Sequence, residues 1–233
     1  MKSGRIAQLS ALSYALAISV FFFGTITAMI LYPGYDPLNN FLSALGARQS
    51  SIGKQPAEFP EIFNITVIIA GLLWIPFFPS IYPLFVDKVD SKGFWILTIL
   101  MSTLVGPLLI TIGIFDAGTS PDIHNFWATR LYATILISSM FWGTNIALLD
   151  NTSFYKSHKW TGDVIMSGLI VVLMAIIFFA WIPPVPPFSL FKIPFYQKLV
   201  AYTYIGYFSV VSKRIFQEAK GSSIDLIKDI AFD

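Results

Sequence analysis

The sequence contains no cysteine, and among its 233 residues there are only two histidines. The missing thiols exclude disulfides, cysteine nucleophiles, cysteine-ligated zinc and iron–sulfur clusters. Two histidines argue against a haem-rich or multi-zinc protein, and no cofactor is expected. Charged residues are also scarce, at 12% against about 25% in a typical soluble domain. The net charge of +2 gives no footprint for a nucleic-acid partner.

Apolar sequence, in contrast, is abundant. Hydrophobic residues make up 55% of the chain, and the mean hydropathy is +0.70. A chain with so little polar surface needs lipid around it. Six apolar stretches fall in the range of ~17–25 residues that a spanning helix requires. They lie at about residues 11–32, 62–85, 93–115, 126–149, 160–182 and 195–211.

These stretches predict the fold class, an all-α polytopic membrane protein built as a bundle of six transmembrane helices. One membrane domain is expected over residues 1–216, followed by a tail at residues 217–233. Lys and Arg residues set the orientation, because they are enriched on the cytoplasmic side. Ten of them lie on the side that holds both termini and four lie on the other. The sequence therefore predicts a cell-membrane protein with cytoplasmic N- and C-termini.

The first outer loop, about residues 33–61, carries the pattern of a short interfacial helix. Asp36 is a suitable N-cap, Pro37 suits the first helical position, and Gly46 suits the C-terminal end. The spacing i, i+3, i+4, i+7 gives this helix one apolar face, formed by Leu38, Phe41, Leu42 and Leu45. Such a helix either seals the bundle or acts as a lid over an outward-facing pocket.

The next outer loop places two carboxylates and a histidine close together, at Asp116, Asp122 and His124. These residue types can bind a metal or serve in acid/base chemistry. The same residues in a turn can also cap the neighbouring helices. Both interpretations stay open, and no metal ligand or catalytic residue is assigned.

Arg130 lies one to two turns inside the fourth span. A charge at that depth requires a partner or a wet cavity. Its helix carries a polar stripe that is expected to face the bundle, formed by Arg130, Thr134, Ser138, Phe141 and Asn145. Arg130 has three possible roles: an ion pair inside the bundle with an outer acid, first of all Asp116; extension to the outer headgroups; or binding of an anionic headgroup or substrate.

Two segments resemble a known family. The first is Tyr32–Gly46, followed by Phe63–Asn64 and by Ala70-Gly71-Leu-Leu, and the second runs from Gly113-Ile-Phe-Asp116 to Asp122-Ile-His124. Together they resemble the DUF998 family of six-span membrane proteins. Ser43, Leu45, Gly46 and His124 match that family's pattern. Ala44 stands where an acid is usual, and Asp116 stands where proline is usual.

The resemblance implies a six-span membrane protein with no settled activity. The family is distantly similar to eukaryotic membrane proteins of the Frag1/DRAM/Sfk1 type, which implies a role connected with lipid or GPI-anchor handling. The acid missing at Ala44 weakens any catalytic hypothesis built on the first segment.

The leading functional hypothesis is a non-enzymatic membrane protein that binds lipid or a partner subunit through a polar pocket on its outer face. The residues expected at this pocket are Arg130, Asp116, His124, Asp36, Ser43 and Asn64. One alternative is an accessory subunit of a larger membrane complex. Another is an intramembrane metal-dependent hydrolase that uses Ser43, Asp116 and His124. The expected partners are membrane lipids and other membrane subunits.

Overall fold

The computed structural model describes residues 2–49, 56–85, 92–148, 168–169 and 193–231. Within these ranges the chain is all-α, with no strand. The elements are α1 (Lys2–Leu31), a 3₁₀ helix (Leu42–Gly46), α2 (Pro60–Trp74), α3 (Phe77–Phe85), α4 (Lys92–Ile114), α5 (Pro121–Leu148) and α6 (Ile193–Ala231). α1 packs against α2, α3 and α6, and α4 packs against α2, α3 and α5.

Within the described ranges, three stretches are long and apolar enough to cross a membrane: Arg5–Leu31, Pro60–Pro83 and Lys92–Ile114. They correspond to the first three predicted spans. The fourth and sixth predicted spans fall within α5 and α6, and the fifth lies outside the described residues except for residues 168–169. The fold class is thus confirmed as all-α, and the count of six spans stays a prediction. α6 continues without a break across the predicted start of the tail at residue 217.

The second predicted span is two helices rather than one. α2 ends at Trp74 and α3 begins at Phe77, because Pro76 has no N–H to donate and its ring disfavours a continuous helix. Pro107, in contrast, lies inside α4 without ending it. The hydroxyl of Thr111 donates to the Pro107 carbonyl at 2.8 Å.

α2 and α4 approach each other closely along a seam of small residues. A Cβ on Gly71 would lie 2.6 Å from the carbonyl oxygen of Gly106, and a Cβ on Gly106 would lie 2.8 Å from that of Gly71. Seven residues further along each helix, a Cβ on Gly113 would meet the Asn64 carbonyl oxygen at 2.7 Å. Small residues that allow such backbone contact are a typical source of helix association in membranes.

The opposite end of the same bundle is filled by aromatic side chains. The fully buried ring of Tyr14 lies 4.7 Å from Trp74 and 4.3 Å from Phe77, measured between ring centroids. Phe208 of α6 packs against Trp142 of α5 at 5.4 Å. Tilted and edge-to-face pairs of this kind add to the energy of packing. The aromatic cluster joins α1, α2, α3, α5 and α6.

Candidate functional site

The loops at one end of the bundle, residues 33–49, 56–59 and 115–120, form what we call the loop end; it corresponds to the predicted outer face. Asp116 organises it. Its side chain is 2% exposed. One carboxylate oxygen accepts hydrogen bonds from the backbone N–H groups of Arg48 at 3.3 Å, Gly118 at 2.9 Å and Thr119 at 2.9 Å, and the other accepts from the Thr119 hydroxyl at 2.5 Å. Asp116 therefore closes its own turn and ties that turn to the segment before α2.

The ionised form of Asp116 is favoured by this environment. Burial acts to raise the pKa of the carboxyl, but the hydrogen bonds from Thr119, Arg48 and Gly118 outweigh burial, and the pKa is lowered. The negative charge is thus neutralised by N–H and O–H donors.

Gly118 allows the two loops of the loop end to cross. A Cβ at this position would lie 2.6 Å from the backbone nitrogen of Gln49 and 3.0 Å from that of Arg48. Any larger residue would push the loops apart, and it would weaken the hydrogen bond from Arg48 to Asp116.

His124 lies in the first turn of α5 and contacts the C-terminal end of α4. It is 3% exposed, and its Nδ1–H donates to the carbonyl of Phe115 at 2.7 Å. Burial lowers the pKa of His124, although the carbonyls of Phe115 and Ile112 and the charge of Asp116 act to raise it. The ring is therefore neutral near neutral pH. It satisfies a carbonyl that the end of α4 leaves without a helical partner.

Asn64 connects α2 to the 3₁₀ helix. Its side-chain amide donates to the carbonyl of Gly46 at 3.0 Å, and it is buried. Gly46 packs so tightly against Asn64 and Phe63 that a Cβ at this position would lie 2.8 Å from the Phe63 ring. Asn64 therefore acts in packing at the loop end, and it is absent from the wall of the cavity described below.

The predicted interfacial helix is shorter than expected. Asp36 does cap a turn, because one carboxylate oxygen accepts the N–H of Leu38 at 2.8 Å and the other accepts the side chain of Asn39. The chain then leaves helical geometry and re-enters it only as the 3₁₀ helix Leu42–Gly46. The prediction of a helix starting at Asp36 was wrong at its first turns, and the end at Gly46 is confirmed.

Two side chains of α6 explain why that helix starts late. The side-chain oxygen of Gln197 accepts the N–H of Leu42 at 3.0 Å. The ammonium of Lys198 donates to the carbonyl of Asn40 and, at 3.1 Å, to that of Pro194. Backbone groups that would have formed the first turns of an α-helix are thus bonded to α6 instead.

Arg130 does not pair with Asp116. It is exposed, its guanidinium donates to the carbonyl of Phe126 at 2.9 Å, and its Cζ lies 3.1 Å from the centroid of the Phe126 ring. The expected ion pair is wrong because the Asp116 carboxylate is occupied by donors of its own turn and of Arg48. The stripe on α5 faces inward only further along: Ser138 contacts Tyr204 at 3.0 Å, and the buried Asn145 donates to Thr98.

A cavity begins below the loop end and extends into the bundle between α1, α2, α4, α5 and α6. The hollow comprises about 760 Å³ of space between atoms, including its opening to solvent. Its walls are aliphatic and aromatic over most of their length, from Phe63 and Ile112 near the loops to Trp74 and Tyr204 at the deep end. The distance spanned along α2 between Phe63 and Trp74 is about 16 Å, at 1.5 Å per residue.

At the deep end, the indole N–H of Trp74 donates to the Ser102 carbonyl and the hydroxyl of Tyr204 bonds to Ser138. The other polar lining residues lie at the loop end of the cavity, which we call its mouth: Ser43, His124 and Gln197, with Tyr132 beside Gln197. Ser43 is half-buried, and within the described part of the chain its hydroxyl has no hydrogen-bond partner. Of the six predicted site residues, the structure brings Ser43 and His124 to the mouth. Asp116, Asn64 and Asp36 instead form hydrogen bonds that hold the surrounding loops. Arg130 lies on the exposed surface of α5.

Gln197 and Lys198 were not among the predicted site residues. Both lie in a predicted span, and the charge of Lys198 was used only to predict the orientation of the chain. A signal was available, since two adjacent polar residues interrupt the apolar run 195–211. Lys198 is 7% exposed, and a buried cation at the end of a span requires acceptors.

Among the described residues, Ser43, Asp116 and His124 do not form the site that the hydrolase hypothesis requires. Ser43 and His124 line one cavity, but no hydrogen bond joins them in the described residues, and the nucleophile–base contact of such enzymes is therefore missing. The described residues also include no group of three or more His, Asp or Glu side chains that could hold a metal ion.

Comparison with known proteins gives one match. A family model described as a protein of unknown function, DUF998, matches residues 15–193. No curated protein and no solved structure matches the chain.

Proposed function

The chain belongs to the DUF998 family, and on that premise we propose that this membrane protein binds a lipid by taking one apolar chain into the cavity of its helix bundle. The observation that carries the proposal is the cavity itself, which is elongated and mostly apolar along its walls, with its polar groups concentrated at the mouth. That distribution matches an amphiphile whose tail lies inside and whose polar end stays at the loop end.

The energetics of the cavity support an occupant. An apolar cavity does not retain water, and an empty one reduces stability in proportion to its volume. The bilayer around the protein supplies hydrocarbon chains at high concentration. Each methylene buried from water contributes about 0.8 kcal/mol, but a tail that comes from the bilayer is already out of water. Binding therefore depends on packing inside the cavity and on hydrogen bonds at the mouth.

The exposed surface supports the membrane setting of this proposal. Large apolar side chains are exposed along α1 and α4, including Leu9, Phe23, Ile30 and Leu100, each more than half exposed. Such surfaces are covered by lipid in a membrane protein. The partner-subunit and accessory-subunit hypotheses have no contact in the structure that favours them, and they stay predictions.

The test is to fill the cavity. Ala128 and Ala133 are half-buried alanines of α5, and only Ala128 lines the cavity. Lipids that co-purify with the full chain are identified by native mass spectrometry for the wild type, Ala128→Leu and Ala133→Leu.

We expect Ala128→Leu to lose the bound lipid, because its side chain takes up the space of the tail. The same variant should melt at a higher temperature than delipidated wild type, since it fills a void. Ala133→Leu should retain the lipid. Wild-type protein that carries no lipid, or equal lipid in both variants, would contradict the proposal.

A further inference from the structure

The described residues that form the mouth of the cavity carry no permanent charge. Among the described lining residues there is no Asp, Glu, Lys or Arg. The polar groups are a hydroxyl at Ser43, a carboxamide at Gln197, a phenol at Tyr132 and the imidazole of His124. The imidazole is neutral near neutral pH, because burial lowers the pKa of His124.

Three charged side chains near the mouth, those of Asp116, Lys198 and Arg130, make contacts elsewhere in the protein. Asp116 is held by four hydrogen bonds within the loops. The ammonium of Lys198 donates to the backbone carbonyls of Asn40 and Pro194. Arg130 lies on the exposed face of α5 over Phe126. None of these three residues lines the cavity, and among the described residues the mouth therefore offers no counter-ion for an anionic head.

The mouth nevertheless offers hydrogen bonds. The hydroxyl of Ser43 can both donate and accept, and it has no partner among the described residues. The carboxamide oxygen of Gln197 accepts the N–H of Leu42, and the Gln197 side chain also hydrogen-bonds to the phenol of Tyr132. A ligand hydroxyl or amide can exchange hydrogen bonds with such groups without bringing a charge into a poorly hydrated space.

We infer that the cavity selects a single-chain lipid with a neutral, hydrogen-bonding head, such as a monoacylglycerol or a long-chain alcohol, and rejects a free fatty acid of the same chain. This inference rests on the proposed function, because it concerns the head of the molecule whose tail the cavity holds. A carboxylate head would leave an unpaired anion at the mouth, which is strongly unfavourable. A plain hydrocarbon would leave the hydroxyl of Ser43 unpaired.

The experiment compares three probes that share one chain length: 1-oleoylglycerol, oleate and 1-octadecene. Each is titrated near neutral pH against delipidated full-length protein in nanodiscs, with bound molecules counted by native mass spectrometry. We expect 1-oleoylglycerol to bind about tenfold or more tightly than oleate, with 1-octadecene between them.

Two variants separate the head from the tail. Ser43→Ala removes the open hydroxyl and should reduce the preference for 1-oleoylglycerol over 1-octadecene, with binding of 1-octadecene unchanged. Ser19→Ala is the matched control, since Ser19 is a serine of α1 whose hydroxyl bonds to its own helix at Ala15 and does not line the cavity.

The outcomes distinguish the two proposals. Oleate binding as tightly as 1-oleoylglycerol would overturn the inference on the head, and tail binding would still stand. Failure of all three probes to bind, including 1-octadecene, would overturn the proposed function itself. If Ser43→Ala kept the full preference for 1-oleoylglycerol over 1-octadecene, the lipid head would not bind at Ser43, and its placement at the mouth would be overturned.

Discussion

Single residues at the loop end show how a motif can be recognised correctly and its role assigned incorrectly. Asp116 and His124 were grouped by proximity in the sequence as a potential chemical site. In the structure each satisfies backbone groups that helix ends and turns leave open. Capping was the open alternative at both positions, and it is the one that the contacts support. The reason is general. A buried carboxylate needs several hydrogen-bond donors, and the nearest donors are the N–H and O–H groups of its own turn.

Removing the charge of Asp116 should destabilise the protein. Asp116→Asn replaces one acceptor oxygen by an amino group that faces either the N–H groups or the Thr119 hydroxyl. We expect a loss of about 1–3 kcal/mol in the free energy of unfolding, measured as a lower melting temperature in detergent. Asp122→Asn is the matched control, because Asp122 is exposed in the first turn of α5. Equal melting temperatures for the two variants would contradict the capping role.

The protonation of His124 should make stability depend on pH. Burial lowers the pKa of the folded imidazole below its ordinary value of 6.5. The unfolded chain therefore binds the proton more readily than the folded protein does. The buried imidazole of His124 contributes its full stabilisation above about pH 6.5, and this contribution is lost as the pH falls through the pKa of the folded state. The slope for one proton is at most about 1.4 kcal/mol per pH unit.

The measurement compares melting temperatures of the wild type and His124→Asn across this range. Asparagine can still donate to the Phe115 carbonyl but does not titrate. The wild type should lose stability on acidification relative to the variant. Parallel curves would rule out His124 as the titrating group.

At the scale of elements, the apolar runs of the sequence predicted where helices form, but the sequence did not predict where a helix breaks. Gly106-Pro107 lies near the middle of the third span, yet α4 is continuous there and Gly106 forms the contact with Gly71. The break falls at Pro76 in the second span. A proline pattern alone cannot tell these cases apart, because the outcome depends on whether neighbouring helices compensate the missing hydrogen bond. The helix predicted from Asp36 failed for a similar reason, since Gln197 and Lys198 lie 155 or more residues away in sequence.

The seam between α2 and α4 should not tolerate a single added carbon. In Gly71→Ala the new Cβ would lie 2.6 Å from a backbone oxygen, and the two helices would have to separate. We expect a cost of about 1–3 kcal/mol, read from the melting temperature. Gly206→Ala in α6 is the control, because a Cβ there meets nothing within 4 Å and alanine favours helix. A melting temperature of Gly71→Ala at or above that of Gly206→Ala would contradict the close packing of the seam.

For the whole molecule, composition together with the lengths of the apolar stretches was enough to predict an all-α membrane protein. The cavity could not be predicted, because it depends on how five helices are spaced and not on any motif. The residues of the family resemblance nevertheless gather in one place: Ser43, Gly46, Asn64, Asp116 and His124 all lie at the loop end. Their spacing in sequence reflects two loops that cross at Gly118.

The predicted orientation can be tested directly, because the chain has no native cysteine. Single cysteines are introduced by Gln49→Cys at the loop end and by Ser3→Cys near the N-terminus, and intact cells are treated with a membrane-impermeant maleimide. Cytoplasmic termini predict labelling at position 49 and protection at position 3, with both labelled after permeabilisation. Labelling at position 3 alone in intact cells would reverse the orientation.

The length of α6 has a practical consequence. Its 39 residues correspond to about 58 Å of helix at 1.5 Å per residue, whereas the hydrocarbon layer is about 30 Å thick. Gln197 and Lys198 hold the first turn of α6 at the loop end. With the sixth predicted span, about residues 195–211, in the bilayer, the surplus is expected on the far side. An affinity tag or fluorescent protein fused after Asp233 would therefore stand clear of a micelle, where antibodies and resins can reach it.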